Sequence, residues 1–251
     1  SAFKEDKTAE FFKLAAKEIL DATEQRSGYC LVVGSETGQL AYQLAKQSTL
    51  MVIAVEPDAE KAKASRAALE RTGIHATRVT VVQHDLDEMP FANYFANLIV
   101  SETQLLTGTI PCKSESVARF LKPCGGAAIV GKPSAALEQS DVPQAEGVKW
   151  ITEVFRIDEG EMNSYRSWTV FRRGKLPGAS SWTHQYGNAA NTSFTNDQRV
   201  RDGLGVLWYG DPGPSAMINR HEAAGAPLST NGRMFIQGTD SIMAYDAYNG
   251  N

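Results

Sequence analysis

The segment that decides the fold is "YCLVVGSETGQLAYQLAK", residues 29–46. It starts as a short apolar run typical of a buried strand, passes through a turn with Gly34 and Gly38, and ends in a helical pattern. In such a unit the backbone N–H groups at the start of the helix can face a ligand, and glycine permits close approach. The G-x-G-x-G pattern of many cofactor loops has Glu36 at its middle position here. The segment is therefore a working cofactor loop, a degenerate one or an ordinary turn.

Composition and charge indicate a globular protein and argue against nucleic-acid binding and a metal site. A chain of 251 residues is long enough for one large domain or two modest ones, and 42% hydrophobic with 22% charged residues is globular composition. The formal net charge of −4 argues against nucleic-acid binding, because phosphate affinity comes mostly from clustered Lys and Arg. The cysteines Cys30, Cys112 and Cys124 form no C-x-x-C pair and have no His at ligand spacing, so we expect ordinary thiols and no metal site.

The ends of the chain and its location stay open. No apolar run reaches the ~18–20 residues needed to cross a bilayer, so no membrane span is expected. The chain begins with Ser1 rather than Met, so the sequence does not define the native N-terminus. Localisation is therefore not predicted from the sequence alone.

The first two thirds of the chain alternate between apolar runs and helical patterns. Helical spacing over residues 4–25 predicts a first helix. Strands are predicted at 29–33, 50–56, 78–85, 97–102 and 127–131, with helices at 39–46, 59–72 and about 113–121 between them. Strands that are apolar throughout and separated by helices indicate a parallel sheet covered on both faces. Segments 150–159 and 167–173 resemble an antiparallel pair at the sheet edge. The predicted fold class is α/β, with a Rossmann-like, mostly parallel sheet.

The composition changes after Arg173. Residues 175–197 are rich in Gly, Ser, Thr and Asn and are interpreted as a linker or long loop. Short strand candidates follow at 204–210, 232–238 and 241–250. We therefore expect a first domain over residues 1–174, the linker at 175–197 and a short all-β segment over 198–251. An isolated sheet of that size is marginally stable.

Acidic and small residues end the successive strands of the predicted sheet. Glu56 ends the second strand, where a carboxylate can accept both hydroxyls of a ribose. Asp85 ends the third strand, where it or its neighbouring amide can meet an adenine, and Ser101 ends the fourth, where a substrate would lie. Each residue alone is equally consistent with a helix start, a turn or packing. Together the three residues are stronger evidence for a ligand site, because right-handed crossovers bring the ends of all these strands to one rim of the sheet.

Four segments in order resemble class I S-adenosylmethionine-dependent methyltransferases over residues of about 9–173. They are "LVVGSETGQLAYQLAK", "VIAVEPDAEKAKASRAALERTG", "VTVVQHDLDEMPFANYFANLIVSE" and "VARFLKPCGGAAIVG". The resemblance implies S-adenosyl-L-methionine as cofactor. It implies cofactor contacts at Gly34, Ser35, Glu36, Gly38, Glu56, Pro57, Asp85, Leu86 and Ser101.

Catalytic residues and the methyl acceptor are not defined by the resemblance. The rim residues Ser101, Glu102 and Gln104 are the first candidates for contact with the acceptor. His84 lies beside Asp85, at a position where the family contacts adenine, so packing or solvent exposure is favoured over catalysis. No general base and no acceptor follow from the sequence.

The chain departs from the family pattern at four positions. Val32 stands where an acid usually precedes the first glycine, and Glu36 replaces the middle glycine. Cys124 interrupts the proline–glycine turn, and Asn97 replaces the acid that leads into the fourth strand. A carboxylate ~4 Å from the cofactor's own carboxylate costs up to ~4 kcal/mol at an effective dielectric of 20. Glu36 could instead pair with the cofactor's sulfonium or ammonium, and the sequence does not decide between these.

The C-terminal segment resembles the start of bacterial quinoprotein-like β-propellers. The residues that carry this resemblance are "LPGASSWTHQYGNAANTSFTNDQRV", "LGVLWYG" and "NGRMFIQGTDSIMAYDAYNG". In that family a strand bearing Trp follows the last turn, so the resemblance implies that the remainder of a propeller follows Asn251. Ordinary hairpin turns are the alternative explanation, and no quinone-site residue can be assigned.

Three functions are compatible with these patterns. The leading hypothesis is a methyltransferase with an unknown acceptor, which favours a cytoplasmic protein. The second is a degenerate, non-catalytic binding or scaffold domain attached to the propeller, which would also suit an exported, cell-envelope protein. The third, a nucleotide-dependent oxidoreductase that binds NAD, is disfavoured because G-x-G-x-x-G is absent.

Overall fold

The computed structural model describes residues 3, 6–134, 145–154, 160–201, 203–210, 216–218 and 224–251. The chain folds into two compact units, Ser1–Gly174 and Lys175–Asn251. The first unit contains a seven-stranded sheet with helices, and the second contains a three-stranded sheet.

The first unit has the architecture expected from the alternating pattern. Its elements are α1 (Lys7–Thr23), β1 (Tyr29–Val33), α2 (Gln39–Gln47), β2 (Met51–Glu56), α3 (Ala59–Glu70), β3 (Val79–Gln83), β4 (Leu98–Val100), α4 (Glu102–Thr107), α5 (Ser114–Ala118), β5 (Ala127–Gly131), α6 (Ala145–Val154), β6 (Gly160–Tyr165) and β7 (Trp168–Arg173). The strand order is β3-β2-β1-β4-β5-β7-β6. The first five strands in this order run parallel, and β7 pairs antiparallel with both β5 and β6. The predicted fold class is confirmed.

Two apolar clusters, one on each face of the sheet, hold the first unit together. Successive side chains of a strand point to opposite faces, and β1 accordingly gives Cys30 and Val32 to one cluster and Leu31 and Val33 to the other. The first cluster joins the sheet to α1, α2 and α3, and the second joins it to α5 and α6. Burial on both faces explains why the central strands β4 and β5 are apolar throughout.

The edge of the sheet differs from the prediction. Residues 150–154 of the expected strand belong to α6, and residues 155–159 lie outside the described part of the chain. The partner of β7 is instead β6, Gly160–Tyr165. Val148 and Ile151, three residues apart, pack on the second cluster, which is helical spacing. β6 is polar because it is an edge strand with mostly exposed side chains, so its sequence lacks the apolar signal of a strand.

The fourth strand is shorter than predicted. The expected segment 97–102 contains β4 at Leu98–Val100 only. Ser101 is the N-cap of α4, and its Oγ accepts a hydrogen bond from the backbone N–H of Gln104 at 3.1 Å. Serine at this position satisfies an N–H group that has no partner inside the helix. Glu102 therefore starts a helix rather than ending a strand.

The second unit contains a small antiparallel sheet. It consists of β8 (Leu228–Thr230), β9 (Arg233–Gly238) and β10 (Ser241–Asp246), in the order β10-β9-β8. The candidate at 232–238 agrees with β9 to within one residue, and the candidate at 241–250 contains β10 but extends four residues past its end at Asp246. The candidate at 204–210 is not a strand: Leu204, Val206 and Tyr209 are exposed, and the segment has no β-partner among the described residues. Without a neighbouring edge to pair with, an apolar run does not form a strand.

The described residues provide neither a membrane-spanning helix nor a metal-binding cluster. Within these ranges, no helix combines the length and apolar character that crossing a membrane requires. The same ranges contain no group of three or more His, Cys, Asp or Glu side chains able to hold a metal ion. Cys30, Cys112 and Cys124 form no disulfide bond among the described residues, and Cys30 is buried.

Candidate cofactor site

The predicted cofactor loop lies where the strand order reverses. β1 is flanked by β2 and β4, so the loop that follows β1 lies at the reversal point, which is the usual ligand site of such sheets. The N–H groups of Gly34 and Ser35 both donate to the carbonyl oxygen of Val55, at 3.0 and 3.1 Å. Gly38, with φ 78°, is the N-cap of α2. Main-chain hydrogen bonds therefore attach this loop to β2.

Gly34 is covered by the chain itself. Its φ of 67° lies in the left-handed region that favours glycine. A Cβ at this position would lie 2.3 Å from Thr103 Oγ1 and 2.8 Å from Pro111 Cγ. The space directly above Gly34 is thus occupied by α4 and the segment that follows it. Ser35 is fully buried, and its Oγ has no hydrogen-bond partner among the described residues.

Glu36 adopts a conformation that usually belongs to glycine. Its φ is 47°, and its carboxylate accepts hydrogen bonds from Lys61 Nζ at 2.6 Å and from Thr103 Oγ1 at 2.9 Å. The Glu36 carboxylate also raises the pKa of Lys61. The side chain at the middle-glycine position is therefore accommodated by partners from α3 and α4.

Glu56 is buried at the end of β2, next to the loop. Its Oε2 accepts from the backbone N–H of Glu36 at 2.7 Å, and its Oε1 accepts from the N–H of Asp58 at 3.1 Å. A carboxylate has about four acceptor positions. Glu56 therefore has about two acceptor positions left for the hydroxyls of a ligand. Its side chain is only 3% exposed, so neighbouring groups would have to move aside before a ligand could reach it. Pro57, the next residue, is exposed.

The residues expected to contact adenine lie at the same rim. The backbone N–H of His84 donates to the carbonyl of Glu56 at 3.3 Å, which places the end of β3 beside the end of β2. Asp85 is exposed, and its Oδ1 accepts from the N–H of Asp87 at 2.7 Å. Leu86 is buried. Glu56, Asp85 and Leu86 therefore follow adjacent strands at one edge of the sheet.

The rim residues expected to meet a methyl acceptor are buried and already have partners. Ser101 caps α4, and Gln104 Oε1 accepts from the N–H of Gly131 at 3.2 Å. Ser101 also lines a cavity of only about 10 Å³, closed in part by Ile110 and Trp150. In this conformation neither side chain is presented to a substrate.

Glu102 forms contacts that the sequence did not indicate. The side chain is fully buried, and its Oε1 accepts from the backbone N–H of Thr37 at 3.0 Å and from the Thr37 hydroxyl. Its Oε2 accepts from the N–H of Leu40 at 3.1 Å. Burial raises the pKa of Glu102 to about 8, although the hydrogen bonds from Thr37 and Leu40 act in the opposite direction. Glu102 therefore occupies N–H groups at the start of α2, the donors that the sequence assigned to a ligand.

The remaining departures from the family pattern have structural roles. Val32 is buried in the first apolar cluster. Asn97 Oδ1 accepts from the N–H of Tyr29 at 3.0 Å and lies against Gly28. Cys124 has φ 57°, and its N–H donates to the carbonyl of Gly174 at 2.9 Å. None of these three residues lies in the loop between β1 and α2.

Comparison with known proteins supports the fold. Residues 30–125 match the family model described as a methyltransferase domain. This part of the chain is similar to methyltransferase domains. The matched range begins inside β1, extends past β4 and contains all nine residues expected to contact the cofactor. No curated protein matched the sequence.

Solved structures resemble about two thirds of the chain. One, assigned as an S-adenosyl-L-methionine-dependent methyltransferase from Methanococcus maripaludis, is 20% identical with a TM-score of 0.52, and the match covers 66% of this chain and 86% of that one. At this identity the likeness shows the fold alone. Another, a SAM-dependent methyltransferase from Aquifex aeolicus, is 14% identical over 67% of this chain and 93% of that one, with a TM-score of 0.49.

Proposed function

We propose that the first unit binds S-adenosyl-L-methionine at the rim formed by the ends of β1, β2 and β3 and transfers its methyl group to an acceptor. The observation that carries the proposal is the buried Glu56 carboxylate, fixed by two backbone N–H groups at the reversal point of a methyltransferase domain. Such an acid at the end of the second strand suits a ribose diol. The chemical class of the acceptor is open, and an active enzyme of this kind would act where the methyl donor is made, in the cytoplasm.

The two ends of the cofactor fit the rim differently. For the nucleoside end, Glu56 would hold the ribose, and Asp85 with Leu86 would lie at the adenine. The amino-acid end does not fit the present conformation, because Thr103 and Pro111 cover Gly34 and Glu102 occupies the start of α2. When bound, the cofactor supplies an electrophilic methyl group, and the protein would contribute mainly by positioning the acceptor in line with it.

Calorimetry tests the proposal directly. We expect S-adenosyl-L-methionine and its demethylated product to bind with dissociation constants on the order of micromolar. Replacing Glu56 by Ala should abolish the heat signal, because it removes the ribose acceptor. Asp21→Asn is the matched control: this carboxylate lies near the end of α1, ion-paired to Lys17 and Arg26, and its loss should leave binding unchanged. Absence of heat with both ligands at high concentration would refute the proposal.

A non-catalytic scaffold is the second candidate function. The closed amino-acid end favours it, because a domain that no longer binds cofactor can keep these internal contacts permanently. Replacing Glu36 by Gly separates the two functions. A large gain in cofactor affinity supports a degenerate site, and a loss supports a site adapted to Glu36.

For the second unit we propose part of a quinoprotein-like propeller blade. Support comes from the antiparallel order β10-β9-β8 and from a groove of about 870 Å³ in the second unit, lined in part by Leu228, Phe235 and Ile242. Ile242 is 80% exposed, as expected of a side chain that a neighbouring strand would cover. An isolated sheet of this size is marginal, so residues 175–251 alone should show little stable sheet by circular dichroism. A cooperative, heat-stable sheet would contradict this part of the proposal.

A further inference from the structure

The start of α2 is already occupied by a side chain of the same protein. Hydrogen bonds join the Glu102 carboxyl group to the N–H groups of Thr37 and Leu40 and to the Thr37 hydroxyl. These residues are separated from Glu102 by more than sixty positions, so the contact is a tertiary one. Glu102 is completely buried, which excludes water as a competitor for these donors.

The covering of the loop is continuous with this contact. Thr103, the next residue of α4, donates its N–H to the carbonyl of Gly34, and its hydroxyl lies 2.9 Å from the Glu36 carboxylate and 3.3 Å from the same carbonyl. Pro111 completes the cover above Gly34. Inside the same loop the buried Ser35 hydroxyl makes no hydrogen bond with the described residues. The first turn of α4 therefore fills the amino-acid end of the site, while the nucleoside end at Glu56 and Asp85 lies outside this cover.

We propose that Glu102 determines which ligands the site accepts, by occupying the N–H groups that a ligand carboxylate would otherwise use. The inference rests on the proposed function, since it concerns the same site. A free carboxylate brought to the start of α2 must displace Glu102, because both groups need the same donors. A nucleoside whose side chain lacks a carboxylate has no such competitor. The site thus favours adenosyl ligands with a decarboxylated side chain over those with a complete amino acid.

A pair of ligands that differ only in the carboxylate tests this. S-adenosylhomocysteine and its decarboxylated analogue, which keeps the amine, are titrated into the protein by calorimetry. We expect the wild-type protein to bind the decarboxylated analogue at least as tightly as S-adenosylhomocysteine. In Glu102→Ala the amides become free, so S-adenosylhomocysteine should gain about 10-fold or more in affinity, while the analogue should change by less than about 2-fold.

Two further variants protect the test against misfolding and trivial charge effects. Glu102→Gln keeps the side-chain shape but can accept through only one of its terminal atoms, so the affinity ratio should move in the same direction by a smaller factor. If the melting temperature shows that Glu102→Ala does not fold, the affinity ratio of Glu102→Gln tests the inference instead. Asp21→Asn also removes one carboxylate and should leave the ratio unchanged.

The outcomes separate this inference from the proposed function. If S-adenosylhomocysteine binds the wild type more tightly than the analogue, and the ratio is the same in the Glu102 variants, the inference is wrong while the cofactor site stands. If neither ligand binds any of the proteins, both the site and the inference fall. A ratio that shifts toward S-adenosylhomocysteine in the Glu102 variants alone supports the inference.

Discussion

Glu36 combines an unfavourable backbone conformation with a favourable side-chain environment. Its φ of 47° carries a steric cost that glycine would not have, on the order of 1 kcal/mol. Its carboxylate gains an ion pair with Lys61, but Lys61 is 49% exposed, so solvent screens much of that attraction. The two contributions are of similar size and opposite sign, which explains how a non-glycine residue persists in this loop.

This balance predicts the stability of two variants. Glu36→Gly loses the ion pair but also loses the strain, so its free energy of unfolding should stay within about 1 kcal/mol of the wild type. Glu36→Ala loses the ion pair and keeps the strain, and should be less stable than Glu36→Gly by about 1 kcal/mol. Urea unfolding of the three proteins measures this. Equal stability of the Ala and Gly variants would show that residue 36 is not strained.

Glu102 predicts a pH dependence of stability. Burial raises its pKa from the ordinary 4.5 to about 8 in the folded protein. A carboxyl group with a raised pKa binds its proton more tightly in the folded state than in the unfolded state. Its contribution to the free energy of unfolding is therefore complete below pH 4.5 and is lost as the pH rises to about 8. The slope is at most about 1.4 kcal/mol per pH unit.

Replacing Glu102 by Gln removes this titration. Urea midpoints of both proteins measured between about pH 5 and pH 9 should converge or cross, because only the wild type loses the Glu102 contribution as the pH rises. Parallel curves for the two proteins would show that Glu102 does not titrate in this range. Other groups titrate equally in both proteins and cancel in the difference.

At the scale of elements, α1 is attached to the sheet edge by one buried carboxylate. Glu18 accepts hydrogen bonds from Trp168 Nε1 at 2.8 Å, from Arg166 at 3.1 Å and from the N–H of Ser134 at 3.2 Å. Burial opposes ionisation of this group, but the hydrogen bonds outweigh it and lower the pKa of Glu18. Its stabilising contribution is therefore present above its ordinary pKa and is lost as the pH falls.

We expect Glu18→Gln to lower the free energy of unfolding by about 1–3 kcal/mol, because hydrogen bonds to a charged group are replaced by weaker ones. Asp21→Asn on the same helix is the control: its partners Lys17 and Arg26 are more than half exposed, so the loss should be below about 1 kcal/mol. Chemical unfolding at neutral pH measures both. An equally small loss for Glu18→Gln would contradict the role assigned to this contact.

The central elements could be predicted from the sequence and the edge elements could not. β1, and β2 as far as Glu56, are apolar because both faces are covered, and their predicted bounds agree with the structure to within one residue. β6 has exposed, polar side chains, so no hydrophobic period marks it. α4 depends on the Ser101 cap, a local signal that the apolar run of β4 obscured.

The site could be predicted only in part for a related reason. Glu56 and Asp85 follow strands of known direction, so topology alone places them at one rim. Glu102 meets Thr37 and Leu40 only after the sheet has formed, since these residues lie on opposite sides of β2, α3, β3 and β4 in the chain. No local pattern of sequence encodes such a contact.

At the scale of the whole molecule, the division into two units predicts independent folding of the first. Both apolar clusters and all nine expected cofactor residues lie in Ser1–Gly174. A protein ending at Gly174 should therefore keep the melting temperature of the first unit and its affinity for adenosyl ligands. Thermal unfolding and calorimetry on both lengths test this. Aggregation or loss of binding in the shortened protein would show that the second unit is needed for the fold.

The position of β1 in the sheet has a consequence for synthesis on the ribosome. β1 pairs on one edge with β2, which follows it closely in the chain. The other edge of β1 pairs with β4 at Leu98–Val100, which is synthesised much later. Between the emergence of β2 and that of β4 the nascent chain exposes an unpaired apolar edge, which is the feature that promotes association between chains. A pause in translation after β2 has left the ribosome, but before β4 has done so, would lengthen this interval, whereas a pause after β4 has emerged would not. The yield of native protein should therefore depend on codon choice in that short window more than elsewhere.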